Sequence, residues 1–148
     1  MHDETGDRRR ATGNGQPLMR IGSDIAERLL AFSVVALRLA ARLPKDPAGR
    51  HVASQMIRSA TGAGANYEEA RAAESRDDFI HKVGVAAKEA RETVYWLTLV
   101  DRTGWGGANL APVLREASEL AAILGASART ARANAQASKS KQAPTDNR

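Results

Sequence analysis

Residues 55–69 read QMIRSATGAGANYEE and residues 86–97 read AAKEARETVYWL. Both stretches are strongly helical in composition. Both set polar or charged side chains (Arg58, Asn66, Glu69, Glu89 and Glu92) beside an apolar seam recurring every three or four positions. A helix built this way holds a specific partner helix rather than running a reaction. The five polar residues therefore read as a structural polar layer, buried or interfacial, that fixes helix register and oligomer state. Buried polar groups must be paired, and a few of them select one arrangement at some cost in stability. The sharper alternative is a ligand or nucleotide site at a subunit interface.

The same periodicity extends in both directions. Ser23 or Asp24 can cap a first helix that carries Ile25, Leu29, Phe32, Ala36, Leu39 and Leu43 at alternating spacings of four and three. Leu30, Val34 and Leu37 widen that stripe, so this helix is expected to contact neighbours on two sides, and Pro44 stops it. Asp46-Pro47 is a cap followed by proline in the first helical turn. The second helix then runs to about Ala73 on Val52, Met56, Ala60, Ala63, Tyr67 and Ala70. Its middle holds Gly62 and Gly64, each costing about 1 kcal/mol against alanine, so either the helix bends there or another helix comes very close. A phosphate-binding loop would need these glycines between a strand and a helix start, and they lie inside a helix.

Ser75 and Asp78 resemble a capping box for a third helix through Phe79, Val83, Ala86, Ala90, Val94, Leu97 and Val100, which Gly104 ends. Asn109 is a candidate cap for a fourth helix on Leu110, Val113, Ala117, Leu120 and Leu124, with Pro112 in its first turn. Short connections favour antiparallel neighbours, so the fold class is all-α, an antiparallel up-down-up-down four-helix bundle. The expected organisation is a disordered N-terminal segment over 1–22, where Met19 is an alternative start, a bundle domain over 23–132, and a flexible basic tail over 133–148.

Composition narrows the function classes. The 148 residues contain no cysteine, which excludes a disulfide framework and a cysteine-based zinc site. No run of about 18 apolar residues is present, so no membrane partner is expected. Arg8-Arg9-Arg10 is followed by no apolar segment, so a secretory signal is not expected and the cytoplasm is the default location. The net charge of +5 is unevenly placed. Residues 23–125 carry thirteen basic and thirteen acidic side chains, while residues 126–148 carry five basic ones against Asp146.

Within the bundle, Arg28, Arg38, Arg42, Lys45, Arg50 and Arg58 face only Asp46 in the same span, and five acids crowd residues 68–78. The six basic residues form a candidate nucleic-acid-binding surface that tracks phosphates. An ordinary solvated face, paired with the acidic stretch of a neighbouring copy, accounts for the same charges equally well. Arg129, Arg132, Lys139 and Lys141 can add weak non-specific affinity or merely solubilise a tail. Trp96 and Tyr95 read as core or interface aromatics, and Trp105 as a residue of a glycine-rich loop. A di-metal carboxylate centre would need paired Glu-x-x-His motifs, and the nearest match is a single Asp78-x-x-His81. No metal, no cofactor and no catalytic residue is expected.

These motifs resemble the bacterial four helix bundle protein family, which includes proteins encoded in rRNA intervening sequences and the accessory variability determinant of diversity-generating retroelements. The resemblance spans about residues 24–132. It rests on Gln55, Arg58, Ser59, Gly64, Ala65, Asn66, Glu68 and Glu69 in the second helix, then on Ala70-Arg71, Glu74-Ser75-Arg76 and Asp78-Phe79-Ile80. It continues through Lys88-Glu89, Arg91-Glu92-Thr93 and Tyr95-Trp96-Leu97, and more loosely through Glu116, Glu119-Leu120 and Ile123-Leu124. Gly64 stands where many members have proline, and Gly62 where serine is more usual. The resemblance implies a small helical protomer that assembles as a homopentamer and is not an enzyme. It also implies, from the retroelement branch, RNA or DNA and a reverse transcriptase as partners. A protein–protein adaptor with no nucleic-acid role is the alternative function.

Overall fold

Four helices make up the fold of the described residues: α1 (Pro17–Ala40), α2 (Pro47–Arg71), α3 (Arg76–Arg102) and α4 (Leu110–Gln142). The computed structural model describes residues 17–142, with side chains from Gly22 to Lys141. No strand occurs among the described residues, and the helices pack as a four-helix bundle. Among the described residues no helix is long and apolar enough to cross a membrane.

Local chemistry explains most of the boundaries. Asp46 adopts an extended backbone and its Oδ1 accepts from the Gly49 N–H at 2.7 Å, with Pro47 in the first turn of α2. The Ser75 Oγ accepts from the Asp78 N–H at 3.1 Å, and Asp77 and Asp78 place negative charge at the positive end of α3. The C-terminus of α3 closes with a Schellman motif. The Gly104 N–H bonds to the Asp101 carbonyl at 3.0 Å and the Trp105 N–H to the Val100 carbonyl at 3.1 Å. Gly104 adopts φ +73°, a conformation only glycine takes without strain.

Two boundaries differ from the sequence reading. α1 starts at Pro17, a turn and a half before Ser23 and Asp24, so residues 17–22 belong to the helix rather than to a disordered segment. Residues 1–16 lie outside the described residues. α4 continues past Arg132 to Gln142 instead of fraying. Alanine at 126, 128, 131, 133, 135 and 137 carries the helix by intrinsic propensity after the apolar periodicity has faded. Arg76 on α3 also donates to the Ser138 Oγ at 3.0 Å, which ties the extension to the bundle. The rest of the expected tail, residues 143–148, lies outside the described residues.

The core follows the expected seams. Leu29, Phe32, Ala36, Leu39 and Leu43 meet Val52, Met56, Ala60 and Ala63 from α2, together with Ala86, Ala90, Leu97 and Val100 from α3. Leu110, Ala117, Leu120 and Leu124 close it from α4. Each fully buried leucine contributes about 1.5–3 kcal/mol relative to an exposed one. The small residues mark close packing, not a bend. α2 is continuous, and a Cβ added at Gly64 would lie 3.7 Å from the Leu29 Cβ and 3.9 Å from its backbone carbonyl carbon.

As expected, α1 meets neighbours on two sides, α2 and α4. Leu30, Val34 and Leu37 nevertheless stay exposed among the described residues, at 60%, 39% and 45%. Together they form an apolar face on a helix whose core-facing side is buried. A groove of about 420 Å³ runs along this face between α1 and α2, lined by Leu30, Val34, Leu37, Thr61, Ala65 and Glu68 among others.

Candidate nucleic-acid interface

The six basic residues between Arg28 and Arg58 divide into two groups. Arg28 on α1 donates from Nε and Nη2 to Glu116 of α4 at 3.0 and 2.9 Å, a two-pronged contact, and reaches Glu119 at 3.2 Å. The hydrogen bond it donates to Glu116 is the main reason its guanidinium is held above the ordinary arginine value. Arg58 on α2 bonds Glu92 of α3 and lies 3.4 Å from the Glu89 Oε1. Its guanidinium is raised as well, chiefly by the bond to Glu92. Both arginines therefore spend donors on carboxylates inside the protomer.

Arg38, Arg42, Lys45 and Arg50 are placed differently. All four are exposed, and among the described residues none of them meets a carboxylate. The Lys45 Nζ donates to the Ala41 carbonyl at 2.7 Å, which caps the frayed end of α1 and leaves its charge uncompensated. Asp46 is the single acid between Arg28 and Arg58, and it spends Oδ1 on the α2 cap. The α1–α2 connection is therefore a locally positive surface. Arg42 also lines a small cleft with Gly106, Gly107, Asn109 and Leu110 at the α3–α4 connection.

Of the five residues read as a polar layer, Arg58, Glu89 and Glu92 come together. Glu92 also accepts from the Trp96 Nε1–H at 3.2 Å, and the Arg58 and Trp96 bonds hold its carboxyl below the usual value. Asn66 lies elsewhere, donating from Nδ2 to the Gly62 carbonyl at 2.9 Å on its own helix. Glu69 pairs with Lys82 further along α3. The contact raises the Lys82 ammonium, first through the hydrogen bond to Glu69.

The polar groups sealed in the core are Ser33, Ser59 and Thr93, none of which the apolar pattern singles out as buried. The Thr93 and Ser59 hydroxyls meet at 2.9 Å between α3 and α2. The Ser33 Oγ bonds its own Leu29 carbonyl at 2.9 Å and reaches the Ala60 carbonyl of α2 at 3.3 Å. Spacing held the signal for Thr93. It completes the run Ala86, Ala90, Thr93, Leu97, Val100, whereas Val94, chosen for its hydrophobicity, is only partly buried.

The aromatics are also redistributed. Trp105 is half-buried against the core as the residue that closes the α3 Schellman motif. Tyr95 is 60% exposed. Its ring meets Trp96 edge-on at 5.0 Å, and Trp96 meets His51 of α2 in the same way at 5.8 Å. His81 is exposed, and no group of three or more potential ligands that could hold a metal occurs among the described residues.

The sequence profile of the 23S rRNA-intervening sequence protein family matches residues 23–126. The chain belongs to that family. The match takes in most of α1, all of α2 and α3, and the first half of α4, so the alanine-rich extension of α4 lies beyond it. A solved structure of the same kind is that of a protein of unknown function from the S23 ribosomal protein family of Bacteroides thetaiotaomicron. It is 32% identical, covers 73% of this chain and 97% of that one, and superposes with a TM-score of 0.66. No curated protein matches the chain.

Proposed function

We propose that this family member is a non-enzymatic, homo-oligomeric helical scaffold that binds nucleic acid through the basic surface at its α1–α2 connection. The observation that carries the reading is the set Arg38, Arg42, Lys45 and Arg50, exposed and without a carboxylate partner among the described residues, while Asp46, the one acid in the same stretch of sequence, is engaged as a helix cap. Cations arranged this way gain affinity by releasing the counterions condensed on a phosphate backbone. Repetition around an oligomer multiplies the effect without new contacts.

Self-association draws on the bare apolar face of α1. A helix that buries one side completely and exposes Leu30, Val34 and Leu37 on another is built for a further helix. A pentamer of up-down-up-down protomers is the form the family resemblance implies. The antiparallel arrangement is supported by contacts that pair Ser33 with Ala60 and Leu29 with Gly64, and by contacts that pair Glu69 with Lys82 and Arg58 with Glu92. In its retroelement form the reading adds a reverse transcriptase as a protein partner, which co-purification from the native host reads out.

The test is retention of a labelled RNA and a labelled DNA by the full chain in a native gel, compared with an Arg38→Glu, Arg42→Glu, Arg50→Glu variant. The wild type retards both probes and the variant releases them. Equal retention by the two proteins rejects the surface. The adaptor reading has the same α1 face in its favour. A stoichiometric, heterologous protein recovered on that face, with no retention of either nucleic acid, establishes it.

A further inference from the structure

We infer that the outer face of α3 is a single-strand contact in which Tyr95 stacks on an unpaired base between flanking cations. The inference rests on the nucleic-acid reading above and assigns it a second, base-facing surface. Lys88, Arg91, Tyr95 and Arg102 fall within an arc of about 60° on α3 at 100° per residue. All four are exposed, and none of the three cations meets a carboxylate among the described residues. At 1.5 Å per residue, Arg91 and Lys88 lie about 6 and 10 Å to one side of Tyr95 and Arg102 about 10 Å to the other. The nearest acid on this side, Glu92, is already bound by Arg58 and by the Trp96 Nε1–H.

An exposed tyrosine costs little to leave alone in water, but this one is held in place. Its edge-on contact with Trp96, itself edge-on to His51, fixes the ring while the residue stays 60% exposed. A pre-oriented aromatic between cations is the arrangement that binds single strands: the cations take the backbone and the ring takes a base. A duplex keeps its bases stacked and offers this ring nothing, so the site selects unpaired strands.

The experiment is fluorescence anisotropy of a labelled 20-nucleotide oligo(dT), an oligo(rU) of the same length and a 20-base-pair duplex against the full chain. Tyr95→Ala and Tyr95→Phe are compared with wild type, each with its mass measured by light scattering. The expected result is a loss of about tenfold or more for both single strands in Tyr95→Ala, with duplex binding unchanged and Tyr95→Phe close to wild type. The oligo(dT) and oligo(rU) arms separate DNA from RNA as the preferred strand. Single-strand affinity unchanged in Tyr95→Ala overturns the stacking site while leaving the basic surface standing. A changed oligomeric mass in Tyr95→Ala also overturns it, by making Tyr95 a subunit contact. Wild type that binds none of the three probes overturns both this site and the reading beneath it.

Discussion

Thr93 and Ser59, 34 residues apart in sequence, place their hydroxyls 2.9 Å from each other in the core between α3 and α2. Each also reaches a carbonyl of its own helix, Glu89 at 2.9 Å and Met56 at 3.3 Å, so the pair is satisfied without water. Removing one partner leaves the other with unmet capacity in an apolar site. Removing both does not. Thr93→Val alone is expected to cost about 1–3 kcal/mol, and the Ser59→Ala, Thr93→Val double variant less than the sum of the two singles. Urea denaturation of the four proteins at one fixed concentration measures the coupling. Strict additivity would mean that the contact does not hold α2 to α3.

Two glycines of α2 are expected to respond to alanine in opposite ways. A Cβ at Gly49 would sit 2.1 Å from the Pro44 carbonyl oxygen and 2.7 Å from its carbon, backbone atoms that cannot step aside. Gly49→Ala should therefore lower stability by about 1–3 kcal/mol, through a displaced α1–α2 connection. A Cβ at Gly64 meets Leu29 and Ser33 at 3.7 Å, ordinary contact. Gly64→Ala should raise stability by up to about 1 kcal/mol, the helix-propensity difference. Thermal melts of the two variants against wild type check the sign of each.

Acid should weaken the Arg58–Glu92 tie. Arg58 and Trp96 hold the Glu92 carboxyl below its ordinary 4.5, so the unfolded chain takes up this proton before the folded one does. The contribution is fully present above 4.5 and is lost as pH falls through the depressed folded value. Glu92→Gln should melt below wild type at neutral pH, by a small margin because the pair is partly solvated, and the two curves should converge in acid. A gap that persists unchanged to low pH would assign the effect to packing of the side chain and not to its charge.

The exposed face of α1 predicts a change of mass. Val34→Glu with Leu37→Glu alters residues that are 39% and 45% exposed, so the helix content of the chain should survive. The particle measured by light scattering should fall to a single chain. An assembly of wild-type mass in this variant would remove α1 from the subunit interface.

Most of the turn and cap chemistry was legible in the sequence. Asp46 before Pro47, Ser75 before Asp78, and Gly104 at the end of α3 all act within one turn, and each does in the structure what its chemistry dictates. The seam of α1 from Ile25 to Leu43 is buried throughout. What eluded the sequence depends on distance or on the absence of a pattern. Nothing near Arg28 announces Glu116, 88 residues away. Thr93 hid behind the more hydrophobic Val94. The last turns of α4 stand on alanine propensity, which leaves no apolar rhythm to read. Tyr95, adjacent to the half-buried Trp96, lies outside the core of the protomer. The cations that share its face emerge only when α3 is wound at 100° per residue.

The most direct measurement is the salt dependence of nucleic-acid binding by the full chain. Anisotropy of a labelled RNA and a labelled DNA is followed from low to physiological salt for the wild type and for Arg38→Glu, Arg42→Glu, Arg50→Glu. The account predicts that log K falls linearly with log salt for the wild type, with a slope of several phosphates' worth of released counterions, and that the variant loses most of both the affinity and the slope. Absence of salt-dependent binding in the wild type, or an identical slope in the variant, would contradict it.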